Sequence, residues 1–80
     1  MPTIFIHNGF RFFFYSGDRI EPIHIHIEKD DSVAKFWLKP LELAANRGFR
    51  SHELKEIRLI IEASEEKIVE KWNEHFSKKV

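Results

Sequence analysis

Apolar and polar positions alternate along the first half of the chain, and apolar positions recur at helical spacing along the second. Residues 3–7 and 10–15 are apolar-rich runs flanking Asn8-Gly9. Asn-Gly between such runs signals a hairpin, because a type I′ turn needs φ > 0 at both positions. The expected register sets His7 opposite Phe10, Phe5 opposite Phe12 and Thr3 opposite Phe14. Residues 16–22 read as a loop, closed by Pro22. Residues 23–29 alternate strictly, Ile23, Ile25 and Ile27 against His24, His26 and Glu28. A turn at Asp30-Asp31 pairs Lys29 with Ser32 and brings Ala34, Phe36 and Leu38 beside the isoleucines. A slip by one residue would turn polar side chains into the core. A second hairpin, 23–29 with 32–38, is therefore expected.

Leu, Ala, Glu and Lys dominate after Pro40. Pro40 suits the first turn of a short helix ending at Arg47, with Gly48 past its end. Ser51 is the expected N-cap of the next helix, with Glu53 favourable in its first turn. Leu54, Ile57, Ile61, Ile68, Trp72 and Phe76 form one stripe, and Lys78 and Lys79 suit its C-terminal end. Ala44, Gly48, Leu54 and Ile57 partly match a helix-turn-helix spacing. Glu53 and Glu56 on the would-be recognition helix repel phosphate, which favours a corner used only for packing. A helix from Ser51 to Ser77 would be about 40 Å long, against about 30 Å for a compact domain of this size. Either it breaks near Ser64, with Glu65 and Glu66 opening a new first turn, or its end overhangs. The overhang is the preferred expectation. The fold class is thus α+β: a four-stranded antiparallel sheet built from two β-hairpins, then a short helix and a long C-terminal helix packed on one face. Residues 1–80 form a single domain, with the hairpins in 1–39 and the helical part in 40–80.

Composition narrows the function classes. At 42% hydrophobic, with eight Phe and two Trp, the chain has the apolar surface to form a core, which argues against disorder. There is no Cys, so disulfides and thiolate metal sites are excluded. No apolar run is long enough for a membrane span, and the start lacks the basic region of a signal peptide. The cytoplasm is the expected compartment. Thirteen basic and thirteen acidic residues give zero net charge, which is not the global signature of a nucleic-acid binder. A core this small is only marginally stable, so a partner chain or a homo-oligomer carries weight.

The chemistry gathers on the sheet face away from the helices. That face is expected to carry Arg11, Phe13, Tyr15, His24, His26, Glu28, Val33, Lys35 and Trp37. Cations among flat rings can hold phosphates and stack bases, so Trp37, Phe13, Arg11 and Lys35 are candidate nucleic-acid contacts. A metal-independent ribonuclease would use His24 and His26 for proton exchange, with Arg11, Tyr15 and Lys35 supporting the phosphorane. An ordinary solvated sheet face is the plainer alternative. His24 and His26 are also weak metal candidates, but a third ligand would have to come from His7 or another strand, and no metal and no cofactor is expected. Trp72, Phe76, Ile68 and Val69 would anchor a partner if the helix overhangs.

Several runs carry a family resemblance. Met1-Pro-Thr-Ile-Phe, Asn8-Gly-Phe-Arg-Phe-Phe-Phe-Tyr-Ser16, Pro22-Ile-His-Ile-His-Ile-Glu28, Ala34-Lys-Phe-Trp-Leu38 and Trp72-Asn-Glu-His-Phe76 together resemble the small bacterial domain-of-unknown-function family 4160. The family's usual run is Pro-Pro-His-Ile-His; Ile23 replaces the second proline here. Family members are typically encoded beside another small protein, similar to toxin–antitoxin pairs. The resemblance implies a partner protein encoded nearby and a role in such a module, with no established activity to carry over. Three readings follow: a module component that contacts RNA through the sheet face, with a ribonuclease toxin as its catalytic form; a non-catalytic antitoxin or regulator that docks a partner through its C-terminal helix; and a His-pair metal-binding protein.

Overall fold

Five antiparallel strands in sequential order, β1 (Thr3–His7), β2 (Phe10–Phe13), β3 (His24–Lys29), β4 (Ser32–Leu38) and β5 (Leu41–Arg47), form one sheet in a computed structural model of the chain. Two helices follow, α1 (Ser51–Ala63) and α2 (Glu65–Phe76). The structure describes residues 3–15, 17 and 20–76. Part of the expected 16–22 loop, Met1-Pro2 and the end from Ser77, with Lys78 and Lys79, lie outside the described residues.

Both expected hairpins form. Asn8 and Gly9 take φ of 53° and 83°, so the first turn has the two positive φ values that a type I′ turn requires. His7 faces Phe10 and Phe5 faces Phe12, but Thr3 faces Phe13 rather than Phe14, because the register shifts between Thr3 and Phe5. In the second hairpin Lys29 faces Ser32, Ile27 faces Ala34 and Ile25 faces Phe36, as the alternation requires. Ile23 lies just outside β3, where its carbonyl accepts from the Leu38 N–H at 3.2 Å.

The sheet has five strands, not four. Residues 41–47, expected as a short helix after Pro40, form β5 beside β4. Lys39 and Pro40 make the two-residue turn that sets Leu38 opposite Leu41, and the bond between them is cis. Ala34, Phe36 and Leu38 are buried on β4, and backbone groups along such a strand need partners on both edges. Helix propensity differences of a few tenths of a kcal/mol per residue are too small to outweigh that requirement. The packing corner and the helix-turn-helix alternative therefore both fall.

Reciprocal hydrogen bonds guide the exit from β5. Asn46 Nδ2 donates to the Phe49 carbonyl, and the Phe49 N–H donates to Asn46 Oδ1, both at 3.1 Å. Gly48 has φ +103° rather than ending a helix. Arg50, not Ser51, occupies the cap position of α1, and its N–H donates to the Glu53 carboxylate at 2.9 Å. Glu53 thus stands in the first turn as expected.

The long helix breaks at Ser64, and the overhang expected from its length does not occur there. The Ser64 N–H donates to the carbonyls of Ile60 and Ile61, while its own carbonyl accepts from Ile68. Glu65 and Glu66 occupy the first turn of α2, where the helix dipole favours acids. The break lets Ile57, Ile61 and Ile68 all reach full burial against Phe10, Phe12, Phe14, Ile25, Ile27 and Phe36. Among the described residues, no helix is long and apolar enough to cross a membrane.

Gly48 gives a direct check on this packing. A Cβ there would lie 2.5 Å from Ser32 Oγ and 3.2 Å from Ser32 Cα. Gly48→Ala is expected to lower stability by more than about 1 kcal/mol in urea unfolding, and an unchanged midpoint would contradict the strand-to-helix turn described.

Candidate functional site

Strand alternation sends Phe10, Phe12, Ile25, Ile27, Ala34, Phe36 and Leu38 toward the helices. Their neighbours face the other way. Register aligns those neighbours into rungs across the open face. Phe13, His26, Lys35 and Ala45 form one rung; Arg11, Glu28, Val33 and Arg47 form the next; His24, Trp37 and Glu42 form a third.

No helix covers the centre of this face, so its apolar surface is covered by its own side chains. Phe13 is only 2% exposed. His26 stacks on it with centroids 5.5 Å apart, Tyr15 meets its edge at 5.1 Å, and the Arg11 guanidinium lies 4.2 Å above its ring. Tyr15 also meets His26 edge-on at 4.6 Å and remains 43% exposed. Lys35 Nζ sits 4.5 Å over the Trp37 ring. Cations over ring faces are held by the ring quadrupole while their charge stays at the surface.

Both of these cations have acidic neighbours. Arg11 pairs with Glu28 and donates through Nε to Thr3 Oγ1. Lys35 pairs with Glu21 at 2.8 Å. Both pairs are partly exposed, and ion pairs at a surface contribute little to stability. Beside them lies a groove of about 350 Å³ lined in part by Phe13, Tyr15, His26, Val33, Lys35 and Arg47. Arg47 was absent from the sequence-based candidates. The strand alternation of β4 places Val33 on this face, but reading residues 40–47 as a helix hid Arg47.

Arg11, Phe13, Tyr15, His26, Lys35 and Trp37 do come together. His24 is different. It is fully buried, among Trp37, His26 and the α2 residue Trp72, with ring centroids at 5.4, 5.0 and 5.4 Å. Its Nδ1 lies 2.8 Å from the Pro22 carbonyl and its Nε2 3.8 Å from Glu21 Oε1. His24 thus has no surface open to a substrate in this arrangement and packs the sheet against α2.

Among the described residues, no group of three His, Cys, Asp or Glu side chains is arranged to hold a metal ion. His7 stands two strands from β3 and faces Phe10 in the register. The expected partner anchors are also placed differently. Ile68 is fully buried in the core, which corrects its assignment to a partner surface. Trp72 and Phe76 pack on Phe14 at 5.1 and 5.8 Å. Val69 is half-buried and lines a shallow depression with Lys39 and Glu70.

A family model described as Domain of unknown function (DUF4160) matches residues 9–73. No curated protein and no solved structure matches the chain significantly.

The two-sided burial of the sheet can be measured. Phe13→Ala is expected to cost about 3 kcal/mol in denaturant unfolding although it lies on the face without helices, and Ile6→Ala under about 0.5 kcal/mol. Equally small losses would contradict the ring cluster around Phe13.

Proposed function

The chain belongs to the DUF4160 family, and from that premise we propose that it is a component of a toxin–antitoxin-like module that contacts single-stranded RNA through the open sheet face. The observation carrying this reading is the Phe13–His26–Lys35 rung beside its groove, with Tyr15 against His26. Exposed ring surface of Tyr15, His26 and Trp37 offers stacking to unpaired bases. Lys35 and Arg11 meet phosphates, releasing Glu21 and Glu28 as they do. That exchange keeps affinity moderate and salt-dependent. If the module's ribonuclease is this chain, His26 is the group that exchanges the proton of the attacking 2′-hydroxyl, supported by Tyr15 and Lys35.

Docking of a partner protein through α2 has less support, because Ile68 is enclosed and Trp72 and Phe76 lie on Phe14. A His-pair metal site has none beyond the proximity of the two rings.

Binding to a fluorescent single-stranded RNA at low salt tests the reading. Lys35→Glu is expected to weaken binding about tenfold, and Glu21→Gln to strengthen it by a few-fold, with both variants folded. Absence of binding, or indifference to both substitutions, would contradict the proposal. Controlled induction of the chain alone tests the toxin role. Growth arrest abolished by a folded His26→Ala variant is the expected result, whereas arrest persisting in that variant would contradict cleavage by this face.

A further inference from the structure

Strand β5 is a sheet edge that neither helix covers: after half-buried Leu41, every residue from Glu42 to Arg47 is exposed. Its outer backbone groups are a template for another strand. The strand also carries an irregularity that selects a register. Lys35 faces Ala45 while the adjacent Phe36 faces Leu43, leaving Ala44 as an extra residue. Residues five apart normally point to opposite faces. Here the extra residue brings Glu42, opposite Trp37, and Arg47, opposite Val33, onto the same open face. Leu43 and Asn46, opposite Phe36 and Ala34, share the helix-side face. Neither Glu42 nor Arg47 has an ion-pair partner among the described residues.

We propose that β5 pairs antiparallel with β5 of a second copy of this chain, about a twofold axis between Ala44 and Ala45 and normal to the sheet. That register sets Glu42 opposite Arg47 of the second copy, and Arg47 opposite its Glu42. Leu43 meets Asn46, and the two small alanines meet at the axis. The Glu42–Arg47 and Leu43–Asn46 pairs each lie on matching faces, which the extra residue makes possible. The other edge, β1, is shorter and carries no acid, Lys or Arg within Thr3–His7. It therefore has no comparable charge pairing to fix a register. Self-pairing through β5 joins the two sheets edge to edge and places both open faces on one side. The proposal is independent of the RNA reading, and its test contains no nucleic acid.

A strand-edge contact falls at the small end of specific interfaces, so a dissociation constant in roughly the micromolar range is expected. Sedimentation velocity over a concentration series should show a monomer–dimer equilibrium. Glu42→Arg or Arg47→Glu alone should weaken it by about tenfold, because each creates two like-charge contacts by symmetry. The combined charge swap should restore it. Circular dichroism verifies folding of each variant, and amide exchange in wild-type β5 should slow as protein concentration rises. A monomer throughout the series, a dimer indifferent to the swaps, or a chain that pairs through β5 only with a different protein would each overturn the proposal.

Discussion

The helices cover one face of the sheet, and strand geometry sends about half of the side chains to the other. The rest of the structure answers that constraint. On the covered side, Phe10, Phe12, Ile25, Ile27 and Phe36 meet Ile57, Ile61 and Ile68 in one apolar core. On the open side Phe13 is buried nearly as completely, by Arg11, Tyr15 and His26. A large ring in the centre of an otherwise uncovered sheet needs flat, amphipathic neighbours. Those neighbours are also groups that present π-faces and positive charge to solvent. Stability and candidate chemistry on this face therefore arise from the same contacts.

The two layers meet through Phe14 and His24. Phe14 packs on Trp72 and Phe76, so the last turns of α2 close one end of the core. Trp72 in turn contacts His24, which contacts Trp37 and His26 on the open face. The break at Ser64 allows this connection, since it redirects α2 and brings Ile68 and Trp72 onto the sheet. The His-x-His run thus divides its work: His24 ties sheet to helix, and His26 lines the groove.

Much of the sheet was legible because period-two alternation is a local signal. Ile23 to Glu28 and Ala34 to Leu38 admit only one register that keeps polar groups outside, and Asn8-Gly9 dictates its own turn. The open-face set of Arg11, Phe13, Tyr15, His26, Lys35 and Trp37 followed from the same alternation. Residues 41–47 were not legible, because their Leu-Ala composition suits a helix while the demand for a fifth strand comes from β4. The extra residue at Ala44, which puts Glu42 on the same face as Arg47, has no signature in composition. Burial of His24 was hidden for a similar reason: part of its cover is Trp72, far along the chain.

The central claim is that the open sheet face, rather than the helices, is the working surface. Residue-resolved NMR during titration with a short single-stranded RNA tests it most directly. The account predicts shifts concentrated on Tyr15, His26, Lys35 and Trp37, with the outer surfaces of α1 and α2 unchanged. Shifts confined to the helices, or none at saturating RNA, would contradict it.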